Sequence, residues 1–309
     1  MLNKLLKIIN DRNFILILSL LLGFILGDYT VHLASVSVWI LAIVMVFATS
    51  GFSFKEWRPL SKTIKIVGIS FLLNFVVFGL LLLGAGLILF DDKLMITGIM
   101  LLVISPPGPS VIPFTAVMKG NVSFAVTGVF GLHLISILVT PLALLLLLGD
   151  SMISPQSVIV IITTVIVAPL IISRILRRTP LLPTIGKIRG HVINWGFFLI
   201  IMPIVGMSKT LILKSPELVL INSFIFATVM FGGGFLFNVI ARRIRVDQPT
   251  IIAANLIFTT KSSAFAAVAS FMLVPPEAGL PLAMHAVFVT LYFIIFDSIV
   301  NKKHNFAVK

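Results

Sequence analysis

Two short polar stretches carry the chemistry available to this chain. One is Ser105-Pro106-Pro107-Gly108-Pro109-Ser110, set inside an apolar run. Proline has no N–H and its ring clashes with the preceding turn, so three prolines and a glycine in four residues cannot continue an α-helix. The carbonyls before such a break lose their helical donors, and Ser110 can cap a helix that restarts at Val111. The free N–H groups of that restart would carry partial positive charge. The competing reading is a plain proline kink. The other stretch is Thr259-Thr260-Lys261-Ser262-Ser263, also within an apolar run. No Pro or Gly marks a break there.

Lys261 is the one basic residue inside a long apolar run. At mid-bilayer depth a lysine costs about 2.5–3.5 kcal/mol on insertion scales. The acidic residues Asp11, Asp28, Glu56, Asp91, Asp92, Asp150, Glu217, Asp247 and Glu277 all lie at run ends or in loops, and Asp297 lies near the inner end of the last run. Three outcomes stay open for Lys261. It can pair with an anionic substrate, give up its proton, or act as a structural cation bonded to the carbonyls freed at Pro106–Pro109. Asn74, His133, Ser136, Asn255 and His285 are weaker candidates to line a path, since such groups also serve to bond one helix to another. Gly232-Gly233-Gly234 reads as a packing or hinge feature.

The elements that position these groups follow from composition. Of 309 residues 59% are hydrophobic and only 11% charged, against about 25% charged in a soluble domain. An ordinary globular enzyme, a disordered tail and a nucleic-acid-binding module are excluded, which leaves an integral membrane protein. The absence of cysteine excludes disulfides, thiolate metal sites and a cysteine nucleophile. No metal or cofactor is expected. A spanning helix needs about 20 apolar residues, and ten such runs lie near 14–27, 32–52, 64–90, 94–118, 122–148, 157–176, 191–208, 217–240, 250–273 and 281–300. The prediction is an all-α polytopic protein, one membrane unit over 1–309.

Basic residues orient the spans. With a cytoplasmic N-terminus, the inside segments carry Lys4, Lys7, Arg12, Lys55, Arg58, Lys62, Lys65, Lys119, Arg174, Arg177, Arg178, Lys187, Arg189, Arg242, Arg243, Arg245, Lys302, Lys303 and Lys309, and the outside loops only Lys93, Lys209 and Lys214. That asymmetry satisfies the positive-inside rule and puts both termini in the cytoplasm. The net charge of +13 is therefore mostly a topology signal. A cleaved signal peptide is the competing reading of the start, but Gly27-Asp28-Tyr29 is no small-x-small site. The stretch 1–12 is expected on the inner surface, with Leu5, Leu6, Ile8 and Ile9 toward lipid. Five spans precede Asp150 and five follow, so the halves have opposite orientation, as in inverted-repeat transporters with a midplane site. The fourth span of each half carries one of the two polar stretches. Eleven residues precede the break of span 4, which puts it roughly 16 Å into the bilayer.

At these residues the chain resembles the bile acid:sodium symporter family. The likeness centres on 105–121, especially Pro107-Gly108, Thr115 and Lys119-Gly120-Asn121. It continues with Thr140-Pro141 and, more faintly, with 263–266 and Gly51-Phe52. The resemblance implies ten helices in two inverted five-helix repeats. A panel would come from spans within 1–52 and 157–208, and a core from spans within 64–148 and 217–300. Helices 4 and 9 would be unwound and cross. The substrates implied are small organic anions. The family's sodium ligands are a Ser-Asn pair after the first break, span 5 hydroxyls, and a Glu and a Gln in span 9. Alignment places Val111 and Ile112, Ala125 and Val129, and Ile257 and Lys261 at those positions. Asn74 keeps a polar family position in span 3.

The function expected is secondary transport of a small organic anion by alternating access in the cell membrane, without sodium. Lys261 would supply the missing positive charge, and proton coupling through it is an option. Substrate or coupling residues would be Lys261, Ser110, Ser105, Gly108, Thr115, Asn74, His133, Thr259, Thr260, Ser262 and Ser263, with Pro106, Pro107 and Pro109 making the break. The partners are that anion and the lipid bilayer, with no nucleic acid. The alternative is a sodium symporter with ligands relocated to Thr259, Thr260, Ser262 and Ser263. A membrane-embedded enzyme finds no carboxylate pair, histidine cluster or nucleophile elbow to support it.

Overall fold

The computed structural model describes residues 11–53, 57–148 and 155–307. The expected surface segment over residues 1–10, and the loop positions Lys55, Glu56, Asp150 and Lys309, lie outside the described residues. So do the side chains of Lys302 and Lys303. Every regular element among the described residues is helical. Eight helices are long and apolar enough to cross a membrane, and two shorter apolar helices, Ser37–Ser50 and Lys93–Ile104, lie between them in sequence.

In chain order these are α1 (Arg12–Leu26), followed by a 3-10 segment (Gly27–Leu33), and α2 (Ser37–Ser50). Then come α3 (Leu60–Leu89), α4 (Lys93–Ile104), α5 (Val111–Val117), α6 (Val122–Leu148) and α7 (155–176). The second half continues with α8 (Leu182–Lys214), α9 (Pro216–Arg243), α10 (Gln248–Thr259), α11 (Ser263–Leu273) and α12 (Leu280–Ala307). Acidic N-caps start three of them. Asp11 accepts from Phe14 N at 3.0 Å, Asp92 from Leu94 N at 2.7 Å and Asp247 from Thr250 N at 3.0 Å. Each satisfies a donor left over at a helix start.

Two boundaries differ from the sequence reading. The second span begins only at Ser37, because residues 27–33 wind on from α1 as a 3-10 turn after Gly27, whose φ of 54° an L-residue rarely adopts. The seventh begins at Leu182, since Pro183 suits the first helical turn, and the helix runs on through Pro203 to Lys214. Lys187 and Arg189 therefore stand on the helix and not in a loop.

Large apolar side chains face outward, Leu21, Ile88, Leu146 and Phe235 among them, as lipid requires. The burial is uneven. In Gln248–Leu273 89% of the most apolar window is buried, against 33% in Leu60–Leu89, so the pair α10–α11 is central. Helix α8 packs on α1 and α2, and α2 on α7. Helices α3, α4, α6, α9 and α10 pack on one another, and α12 lies against α4, α9 and α11. Helix α8 joins the two groups through α11 and α12.

At Gly206 of α8 a Cβ would stand 2.1 Å from the Thr30 hydroxyl and 2.6 Å from the Gly27 carbonyl oxygen. Backbone cannot retreat cheaply, so Gly206→Ala is expected to lower stability by about 1–3 kcal/mol. Thermal unfolding in detergent checks this, and an unchanged midpoint refutes the close contact of α8 with the 3-10 segment that follows α1.

Element lengths recur about half a chain apart. Helix α3 is interrupted by a π-segment at Leu72–Phe78 and α9 by one at Ala227–Gly232. Helices α4 and α10 both follow an aspartate cap, run 12 residues and stop in extended backbone, at Ser105 and Thr260. A third π-segment lies at Thr163–Val167.

Candidate functional site

Among the described residues, two apolar spans are interrupted partway by non-helical backbone, between Ile104 and Val111 and between Thr259 and Ser263. The first break follows from its prolines. The second has no proline or glycine, and the contacts made across the protein hold it open.

The carbonyls of the first break account for the site. In a continuous helix the oxygens of Val103 and Ser105 would accept from the N–H groups of residues 107 and 109. Both are prolines, so both oxygens are orphaned. Lys261 Nζ donates to these two, at 2.9 Å to Val103 O and 3.1 Å to Ser105 O, and to Asn74 Oδ1 at 2.9 Å. All three partners are uncharged oxygens, and an ammonium has three donors. The side chain is 2% exposed. The ammonium also stands 4.3 Å from the centre of the Phe75 ring, a favourable face for a cation. The remaining gaps close similarly. Thr140 donates to Ile104 O at 3.2 Å, and the backbone N–H of Ser262 donates to Pro106 O at 2.9 Å. That last bond ties one break directly to the other.

Asn74 bridges them from the side. It stands on the π-segment of α3, fully buried. Its Nδ2 donates to Ile257 O at 2.7 Å and Thr260 O at 2.9 Å, at the end of α10, while its Oδ1 accepts from Lys261. One amide thus satisfies two carbonyls of the second break and one proton of the ammonium. Extra residues of the π type commonly mark functional positions, and here the bulge aims the amide.

Among the other expected site residues, Ser262 caps α11, its hydroxyl accepting from Phe265 N at 3.2 Å. Ser110 occupies the position before α5 but makes no side-chain cap. Its backbone is already helical there, and the Asx-type geometry that lets a hydroxyl accept from the next turn is absent. Gly108, Ser110, Ser262 and Ser263 line one small cavity together with Lys261. Ser263 Oγ is 2.8 Å from His285 Nδ1. The hydroxyls of Ser105, Thr115, Thr259 and Thr260 each donate to a carbonyl within their own helix, Leu102, Val111, Asn255 and Leu256. His133 lies apart from this cluster, bonded to Val129 O at 2.8 Å and lining a different small cavity with Thr49, Phe52 and Ile166. The positions aligned with sodium ligands, Val111, Ala125, Val129 and Ile257, are buried hydrocarbon.

Lys119-Gly120-Asn121 ties the far ends of the broken helices. Lys119 has φ +55°. A Cβ on Gly120 would meet Thr115 and Ile252 at 2.7 and 2.8 Å. Asn121 N donates to Pro249 O at 2.8 Å, its Nδ2 to Thr250 Oγ1 at 3.0 Å, and its Oδ1 accepts from Phe124 N at 3.0 Å. The motif starts α6 and pins α5 to the start of α10.

Two participants were not singled out by the sequence. Tyr292 donates its hydroxyl proton to Asn255 Oδ1, and Asn255 Nδ2 reaches Gly234 O at 2.9 Å, which braces α10 against α9 and α12. A tyrosine in an apolar run gives no local sign of this. Arg12 counted only as a topology charge, yet it lines the cavity at the breaks.

The family model for the Sodium Bile acid symporter family matches residues 38–214. The matched stretch takes in the first break and stops before the second. No curated protein matches the sequence.

Proposed function

The chain belongs to the sodium bile acid symporter family, a family of membrane transporters, and on that premise we propose that it carries a small organic anion without sodium, Lys261 standing where a coupling cation would. The observation that carries this reading is the convergence of Val103 O, Ser105 O and Asn74 Oδ1 on Lys261 Nζ. Sodium is a hard cation that needs a shell of oxygens. Here three oxygens beside the crossing already hold a tethered ammonium, and the aligned ligand positions are Val, Ile and Ala. A mobile cation placed there would lack ligands and meet a like charge.

The architecture proposed is ten spans in two inverted repeats, with both termini on the basic, cytoplasmic face of the cell membrane. The recurrence of π-segments in α3 and α9, and of aspartate-capped 12-residue half-helices in α4 and α10, supports it. The panel would be α1, α2, α7 and α8, and the core the remaining helices, with alternating access as motion of one against the other. The fixed positive charge at the crossing favours an anion by long-range field, because its own protons are used.

The test is uptake of a carboxylate panel into proteoliposomes. Uptake is expected to be the same in sodium and in choline buffer. Uptake that vanishes in choline overturns the reading and favours a sodium symporter. An imposed pH gradient in the same vesicles tests proton coupling: acceleration with the acidic side outside assigns the proton as the co-transported ion.

A further inference from the structure

We infer that Arg12 is the residue that grips the solute's carboxylate, at the cavity where the two broken helices meet. The inference rests on the organic-anion reading above and adds to it a binding residue on the other packing group.

Arg12 opens α1, which packs on α8, whereas the half-helix it touches, α5, packs on α6 and α10. Its Nη1 donates to Ser110 O at 3.4 Å, a long bond, and its guanidinium carbon stands 4.5 Å from the centre of the Phe114 ring. Phe114 in turn stacks on Phe293 at 3.9 Å. The residue as a whole is partly buried, but Nε and Nη2 are sealed from solvent and have no hydrogen-bond partner. A guanidinium has five N–H donors, and a withdrawn cation without an anion is costly. The contrast with Lys261 is direct. Both line the same cavity. The lysine has every proton placed on an oxygen, and the arginine has two nitrogens with none.

The cavity between them measures about 40 Å³ and is walled by Gly108, Ser110, Ser262, Ser263 and Thr290. That is room for roughly three waters, the size of a carboxylate group rather than a whole solute. A planar carboxylate matches the arginine fork with two parallel bonds once the guanidinium turns Nε and Nη2 toward the cavity, and the hydroxyls of Ser110 and Ser262, whose protons are not given to another group, can serve the outer lone pairs. An anion held there would sit between the two packing groups, so their separation would release it.

The same fork would also take a lipid phosphate, so the test separates the two sources. The full chain is placed in nanodiscs of phosphatidylcholine alone and exposed to linear monocarboxylates from acetate to decanoate and to the matching amides. Thermal shift reads binding, and the NMR signal of Arg12 Nε in arginine labelled with nitrogen-15, assigned by its loss in Arg12→Gln, reads occupancy. Carboxylates that raise the melting temperature are expected to move the Arg12 Nε signal, and amides to do neither. Arg12→Gln is expected to weaken those carboxylates at least about 10-fold, with Arg12→Lys recovering part, while the unliganded melting temperature holds or rises because an unpaired charge has gone. Equal stabilisation of wild type and Arg12→Gln by carboxylates overturns the role of Arg12 and leaves anion transport standing. Amides acting as well as carboxylates, or no carboxylate acting on the wild type, overturns both. An Arg12 Nε signal that moves only when phosphatidylglycerol is added assigns the fork to a lipid phosphate and overturns the solute site.

Discussion

Lys261→Ala is expected to lose about 2–5 kcal/mol of stability, at roughly 0.6–1.7 kcal/mol for each of the three buried bonds lost within a membrane protein. The reason is specific to the oxygens it leaves behind. Val103 O and Ser105 O cannot turn to a backbone donor, because residues 107 and 109 are prolines. Asn74 Oδ1 cannot turn away either, since its Nδ2 is held by Ile257 and Thr260. Three acceptors then face a vacated space sized for a small cation. Added sodium is therefore expected to raise the melting temperature of Lys261→Ala and to leave wild type unmoved. Lys261→Met, which fills the space with hydrocarbon, should show the loss without the sodium response. A variant that melts with the wild type, or wild type and variant responding equally to sodium, would falsify the tethered-cation account.

The triple substitution Pro106→Ala, Pro107→Ala, Pro109→Ala is expected to cut uptake by well over an order of magnitude while the chain still inserts. Each proline in a helix interior costs about 3 kcal/mol relative to alanine, so removing three shifts the balance toward one continuous rod from α4 into α5. The restored N–H groups at 107 and 109 then compete with Lys261 for Val103 O and Ser105 O. The bond from Ser262 N to Pro106 O, which joins the breaks, goes as well. Wild-type uptake by the triple variant would show that the break has no part in transport.

These two experiments separate what could be read along the chain from what could not. The break in the first half was legible because proline acts on its own neighbours: the missing N–H at 107 and 109 names the orphaned oxygens at 103 and 105 by counting four residues back. The burial of Lys261 was legible from its place in an apolar run. The second break was not legible locally. Thr259 to Ser263 contains no helix breaker, and the extended backbone at Thr260 is held by Asn74, which is 186 residues away along the chain. Ser110 and Ser262 show the same division. Ser110 follows the sequence rule for a cap but its backbone is already helical, whereas Ser262, which carries no expectation of a cap, has the extended backbone that lets its hydroxyl accept from Phe265 N.

The sequence by itself determined the apolar helices and the discontinuity at 105–110. Each of these depends on transfer free energy or on covalent limits of the backbone, which act within a few residues. Only the tertiary structure decided that the ammonium of Lys261 lies on the oxygens of Val103 and Ser105, 158 and 156 residues distant, and that Arg12 is left facing a cavity. The reason is that a long, flexible side chain goes where unsatisfied partners are, and those partners are brought near by helix packing that no local pattern encodes.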